Sequence, residues 1–205
     1  MKILELFKGT GSISSYYENR QDIEIISLDI LKKYNPTICI DIMEFDYKVY
    51  KEGEFDIIWA SPECKIFSSL QAIWIGKKWN SMEELTIERK KNACFINKTL
   101  EIIEYLKPKW YFVENPLYST IWDYIDETTW NNSVIIDYCR FGTIYKKPTR
   151  ILTNKKLDNV RCKRKGKHDF AIGMGHKKNN HKFSDRTTLN ERYSIPQNLL
   201  KYLLD

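Results

Sequence analysis

The chain lacks any run of eighteen apolar residues, so no membrane-spanning helix and no membrane partner are expected. It opens MKILELF, without the small-residue cleavage site of a secretory leader, which predicts a cytoplasmic protein. Cysteine is scattered and odd in number (Cys39, Cys64, Cys94, Cys139, Cys162), and no C-x-x-C pair exists. That pattern excludes a disulfide framework and a four-cysteine zinc site. No internal repeat or low-complexity tract interrupts the sequence. What remains is 205 residues, 42% of them apolar, enough for one sizeable core and suited to one domain, or one domain with a small appendage.

Charge is unevenly spread. The net charge is +6, yet residues 155–182 hold ten Lys/Arg against Asp158 and Asp169, so this segment alone is +8 and the remainder −2. A near-neutral body with one basic segment is the footprint of a polyanion-binding protein, although a lone charge run is more often a solvated loop.

Apolar β-rich runs alternate with helical stretches. Strands are expected at Lys2–Phe7, Ile23–Asp29, Thr37–Asp41, Phe55–Ala60, Trp110–Glu114, Val134–Tyr138 and Arg150–Thr153. A short helix is expected from Ser12, a long one over Ser81–Leu106 ended by Pro108, and a last one over Leu199–Leu204. This alternation predicts an α/β fold, a mostly parallel seven-stranded sheet with helices on both faces. Ligands of such sheets gather at the carboxyl ends of the strands. Those ends carry Gly9-x-Gly11, Asp29, Asp41, the turn Ser61-Pro62-Glu63-Cys64, and Glu114-Asn115-Pro116.

Each of these signals is weak alone. A G-x-G turn permits close backbone approach to a ligand, and an acid twenty residues on is placed to accept from a ribose diol. The dinucleotide fingerprint is incomplete, because Ser14 stands at the third glycine. A nucleoside cofactor without a pyrophosphate is therefore favoured, with Asp41 and Ile42 toward its base. Cys39, Cys94 and Cys139 lie in apolar patterns and read as inert buried thiols. Cys64 follows a proline turn at the mouth of the sheet, where a nucleophile would be presented. Its thiol needs a positive neighbour, and Lys65 is adjacent. Glu114 ends a strongly apolar run. It is either salt-bridged or desolvated and poised as a proton donor.

In this order, Glu5-Leu6-Phe7-Lys8-Gly9-Thr10-Gly11, Asp29, Asp41-Ile42, Ser61-Pro62-Glu63-Cys64-Lys65-Ile66-Phe67-Ser68 and Glu114-Asn115-Pro116 resemble the motifs of the DNA (cytosine-5) methyltransferase family. Phe141-Gly142 followed by Arg150 looks like that family's eighth motif, and Arg192-Tyr193-Ser194-Ile195-Pro196 like its tenth. The resemblance implies a Rossmann-like methyltransferase fold and S-adenosyl-L-methionine (AdoMet) as cofactor. It implies that Phe7, Gly9, Gly11, Asp29, Ile30, Asp41, Ile42 and Pro62 line the cofactor site. Cys64 would attack carbon 6 of a flipped cytosine, Glu114 would engage ring nitrogen 3, and Arg150 would contact the base edge. The partner implied is double-stranded DNA, in a bacterium or in the host cell of a phage or virus. An RNA cytosine substrate and a catalytically silent AdoMet- or DNA-binding subunit are the alternatives.

The sequence departs from the family pattern in several places. Glu63 stands for the usual proline, Lys65 for glutamine, and Lys147-Pro148-Thr149 fills most of the Q-x-R-x-R motif. The implied organisation is a catalytic domain over 1–154, a short basic insert over 155–185 in place of a target-recognition domain, and a returning segment over 186–205. So small an insert predicts weak sequence preference or help from a separate specificity or helper chain. Ile66 to Asn80, with Trp74 and Trp79, would be the loop that closes over the base. Cys162, His168, His176 and His181 match no common zinc spacing, so no metal is expected.

Overall fold

The computed structural model describes residues 1–163 and 187–205. Strands β1 (Lys2–Leu6), β2 (Glu24–Asp29), β3 (Ile38–Cys39), β4 (Ile57–Ala60), β5 (Trp110–Pro116), β6 (Ser133–Asp137) and β7 (Pro148–Thr153) form one sheet. Their order is β3-β2-β1-β4-β5-β7-β6. The pairs among β1 to β5 are parallel, and β7 runs antiparallel to both its neighbours. The fold class expected from the sequence is the one observed, with β7 as the exception to parallel pairing.

Strand alternation divides the core. Leu4, Leu6, Ile58, Ala60, Val113 and Leu152 point to one face. Ile3, Ile57, Trp59, Phe112 and Ile151, their chain neighbours, point to the other. Both sets are essentially inaccessible, as expected of central strands covered on both sides. Helix α3 (Cys94–Leu106) covers the first face with Ile96, Ile102, Ile103 and Leu106. On the second face lie α1 (Ser12–Tyr16), through Ile13, and α6 (Gln197–Leu204), through Leu199, Leu200 and Leu203.

The expected helix over Ser81–Leu106 is two helices. α2 (Met82–Asn92) and α3 meet at Ala93. α2 is polar and buries only Leu85 and Arg89, whereas α3 carries a buried stripe. α3 ends in a left-handed Lys107 before Pro108, which cannot continue a helix. Two short helices, α4 (Glu127–Trp130) and α5 (Leu189–Tyr193), complete the set, the latter opened by a capping box between Thr188 and Glu191. No helix among the described residues is long and apolar enough to cross a membrane.

Leu200 in α6 is fully buried against the sheet. Leu200→Ala is expected to destabilise the protein by about 2–5 kcal/mol, read as a lower urea midpoint at unchanged slope. A loss below about 1 kcal/mol would mean that α6 is not part of the core.

Candidate active site

The strand order reverses between β1 and β4. Connections leaving these two strands diverge, and a crevice opens beyond their carboxyl ends. On the β1 side the chain turns at Phe7, Gly9 and Gly11, with φ of 57°, 49° and 69°. Glycine takes this left-handed region freely, while Phe7 is held there at a cost of about 1–2 kcal/mol. Asp29, at the end of β2 and 8% exposed, fixes the loop. Its Oδ2 accepts from the Gly9 amide at 2.9 Å and its Oδ1 from the Leu31 amide at 2.8 Å. Glu5 is buried at the end of β1 and accepts from the Ile13 amide and the Ser14 hydroxyl, which ties the first turn of α1 to the sheet. Burial raises the Glu5 carboxyl above its ordinary range, and those two hydrogen bonds oppose the rise.

On the β4 side, Pro62 is buried and Cys64 half-buried. Two clefts meet here. The larger, about 490 Å³, is lined by Phe7, Gly9, Asp29, Ile30 and Pro62 on its way to Cys64 and Glu114. The smaller, about 300 Å³, runs from Cys64 past Ser68 and Gln71 to Tyr118. Cys64, Lys65, Pro116, Lys147 and Tyr193 border both. Volumes of this size suit small-ligand sites.

Glu114, 6% exposed, is not an isolated carboxyl. Its Oε1 accepts from the Tyr138 hydroxyl at 3.0 Å and lies 3.4 Å from Lys147 Nζ. The Lys147 side chain is 8% exposed, sits 4.6 Å from the centre of the Tyr138 ring and donates to the Arg192 carbonyl at 3.4 Å. Burial, then the Glu114 charge, push the Tyr138 hydroxyl well above its ordinary value, so it stays a donor. Burial pushes the Cys64 thiol up, and the Lys147 ammonium pulls it back. Asn115 donates to the Pro62 carbonyl at 2.9 Å, joining the two loops. Its Oδ1 is buried with no hydrogen-bond partner among the described residues, and Asn115 belongs to the lining of the larger cleft.

The structure brings together Phe7, Gly9, Asp29, Ile30, Pro62, Cys64 and Glu114. Gly11 borders an adjoining polar cleft with Lys8 and Ser14. Three expected site residues are elsewhere. Arg150 follows the pleat: Glu114 pairs with Ile151, so Arg150 projects to the opposite face. There it donates to Ser133 Oγ at 3.0 Å and its guanidinium lies 5.8 Å from the Trp122 ring centre. Ile42 is 3% exposed in the core, which claims its apolar side chain. Asp41 caps the turn after it by accepting from the Met43 amide. The cysteines also differ from expectation: Cys39 is exposed, and Cys94 and Cys139 are half-buried.

Sequence reading missed Lys147, Tyr138 and Glu5 as site residues, and the contribution of Tyr193 and Ile195 from the C-terminal segment. A lysine at the end of an irregular loop and a tyrosine after a strand carry no local signature. The buried pair 114–147 is visible only once β5 and β7 are paired. Trp79 is buried and bonded to Gln71 at 3.0 Å, whereas Trp74 is 48% exposed. Among the described residues no group of three or more His, Cys, Asp and Glu stands ready to hold a metal. Most of the basic segment, with His168, His176 and His181, lies outside the described residues.

The sheet order, its one antiparallel strand and the glycine turn define a Rossmann-like methyltransferase fold. Two solved structures share it. The Entamoeba histolytica methyltransferase EhMeth matches with a TM-score of 0.52 at 15% identity over 80% of this chain and 57% of its own. The Dnmt2 methyltransferase of S. pombe matches at 0.50 and 14%, over 77% and 52%. This chain therefore spans little more than half of either, and the likeness is one of fold. No family model matches. A curated relative, a probable DNA (cytosine-5)-methyltransferase of Frog virus 3 (isolate Goorha), is 35% identical over 158 residues, 75% of this chain and 71% of that protein. The chain belongs to the DNA (cytosine-5) methyltransferase family.

The loop beyond Cys64 is anchored from α2. Arg89, 9% exposed, donates Nε to the Ile66 carbonyl at 3.1 Å and an Nη2 hydrogen to the Ser68 carbonyl at 2.9 Å. Arg89→Met is expected to leave the Ile66 carbonyl without its partner and the Ser68 carbonyl with the Gln71 amide alone, and so to loosen this loop. Tryptic cleavage after Lys77 and Lys78 would then run severalfold faster than in the native protein; unchanged cleavage would show that the anchor does not control the loop.

Proposed function

We propose that this chain transfers a methyl group from AdoMet to carbon 5 of cytosine in double-stranded DNA, through a covalent Cys64 adduct on a flipped base. The observation that carries this reading is the meeting of two clefts at Cys64, with the Glu114 carboxyl in the wall of the larger and its partner Lys147 bordering both. One cleft fits a nucleoside cofactor and the other fits an extruded base.

The residues present suit AdoMet. Gly9 lets the backbone approach a ligand, since it has no Cβ and its φ of 49° is one that other residues adopt only under strain. Each Asp29 oxygen uses one lone pair on the loop and keeps another for a diol. Ile30, 61% exposed at the cleft rim, is the apolar side chain available to cover a ring, a role expected of Ile42. AdoMet supplies an electrophilic methyl on a sulfonium. The protein's part is to make carbon 5 nucleophilic.

For that, the Cys64 thiolate adds to carbon 6 and ring nitrogen 3 gains a proton or a strong hydrogen bond at Glu114. Electron density then rises at carbon 5, which takes the methyl group. The demethylated cofactor leaves as S-adenosylhomocysteine; loss of the carbon-5 proton to solvent then restores the carbon 5–carbon 6 double bond and expels the Cys64 thiolate, and ring nitrogen 3 gives its proton back to Glu114. None of these atoms is reachable in a stacked duplex, so the base must leave the stack, at a cost of a few kcal/mol. The +8 segment of 155–182 supplies charge for phosphates, which hold DNA without reading its sequence.

Duplex DNA carrying 5-fluorocytosine tests the reading, because fluorine blocks the final elimination. With AdoMet, the native protein is expected to form a denaturant-stable adduct and Cys64→Ser none. An adduct on RNA alone would transfer the assignment to RNA. No adduct on either, with AdoMet still bound, would leave a silent subunit. Asp29→Ala is expected to weaken AdoMet binding on the order of tenfold or more in calorimetry; unchanged affinity would remove Asp29 from the cofactor site.

A further inference from the structure

Lys147 stands in the segment that fills most of the Q-x-R-x-R motif, where the sequence reading assigned a role to Arg150 and none to the lysine. It borders both clefts, beside Cys64 in each. Its ammonium is nearly inaccessible, 3.4 Å from Glu114 Oε1, and a buried cation persists only where partners repay its desolvation. Here the partners are the Glu114 carboxylate, the face of the Tyr138 ring and the Arg192 carbonyl. Three chain segments thus converge on one side chain: β5 with Glu114, the turn after β6 with Tyr138, and α5 with Arg192.

We propose that Lys147 is the positioning cation of this site. It fixes the Glu114 carboxylate in the cleft and supplies the positive charge beside Cys64. This inference rests on the reading of Cys64 as the nucleophile, and it assigns to Lys147 the activating charge expected from Lys65. Lys65 is exposed to solvent, where its field is screened. Arg150 is on the far face of the sheet. Among the cations of the two clefts, Lys147 is the one held away from water next to the thiol.

The charges facing Cys64 act in opposite directions. Burial disfavours the thiolate most, Lys147 favours it, and Glu114 and Glu63 disfavour it. Tyr193 faces the thiol from α5, with Arg192 beside it. The signs follow. Removing the Lys147 charge must shift thiolate formation to higher pH, and removing the Glu114 charge must shift it to lower pH. In catalysis the same arrangement moves one proton: it leaves Cys64 Sγ, the sulfur bonds carbon 6, and a proton is delivered to ring nitrogen 3 at Glu114. Lys147 keeps its own protons throughout and holds the carboxylate that passes the proton on.

The test is the pH profile of Cys64 alkylation by iodoacetamide, followed by mass spectrometry of the Cys64 peptide in the full chain without DNA or AdoMet. Lys147→Met is expected to slow Cys64 alkylation about threefold or more at pH 8, with the rates converging at high pH. Lys147→Arg keeps the charge and is expected to restore the native profile. Glu114→Gln is expected to move the profile to lower pH, and it keeps the proposal testable if Lys147→Met fails to fold. Superimposable profiles for the native protein and Lys147→Met would overturn it, as would a Glu114→Gln shift to higher pH. Because the readout needs no methyl transfer, it is separate from the outcome of the 5-fluorocytosine experiment. A normal profile shift with no adduct on any nucleic acid would fail the proposed function and leave the role of Lys147 standing.

Discussion

Everything in this fold depends on where a sheet buried on both faces can open. The central strands present apolar side chains alternately to two helical layers, so neither face has room for a polar ligand. Only the strand ends remain, and only between β1 and β4 do the outgoing connections part. The glycine turn after β1 and the Ser-Pro turn after β4 stand on either side of that gap. The site is a consequence of topology before it is one of chemistry.

The same burial sets a second constraint on the charges. Glu5, Asp29, Glu114 and Asp137 are all buried near strand ends, where an unpaired carboxylate would cost several kcal/mol. Each is answered differently. Asp29 is held by backbone amides, and Glu5 by an amide and a hydroxyl. Asp137 is met by Lys146, Arg161 and the Cys162 amide. Glu114 alone is met by a buried lysine and a buried tyrosine, in the wall of the larger cleft. Groups satisfied by amides are fixed in position, and Asp29 still keeps a lone pair on each oxygen. A carboxylate satisfied by an ammonium and a phenol keeps lone pairs and a charge balance that a substrate can change.

This contrast explains what the sequence disclosed. Elements with a local signature were legible: the continuous apolar run before Ser61, the glycines of the first turn, the acid closing β2. Cys64 and Glu114 were legible because a thiol in a proline turn and a carboxylate after WYFVE both break their surroundings. Arg150 was misplaced because strand period sets only that neighbours alternate, not which of them faces the cleft. The pairing of Glu114 with Ile151 decides that, and it links residues 37 apart. Lys147 went unread for the same reason. Ile42 was misplaced because an apolar residue near a strand end serves a core and a ligand equally well in sequence, and the core took it.

The returning C-terminal segment also follows from the site. Ile195 donates its amide to Ser12 Oγ at 3.0 Å, and Tyr193 and Ile195 close the cleft from above α1. The last helix is fastened to the second face of the sheet by three buried leucines. On the other side, Val160 pairs with the edge strand β6, and the Cys162 amide is tied to Asp137 at 2.7 Å. Both roots of the basic segment are therefore fixed to the catalytic body, one at β6 and one beside the cleft. Under the proposed function, the chain that carries the phosphate-binding charge is thus tethered at both ends. A tether at both ends lowers the conformational entropy the segment has to lose when it meets a polyanion. Phosphate contacts raise affinity without reading sequence.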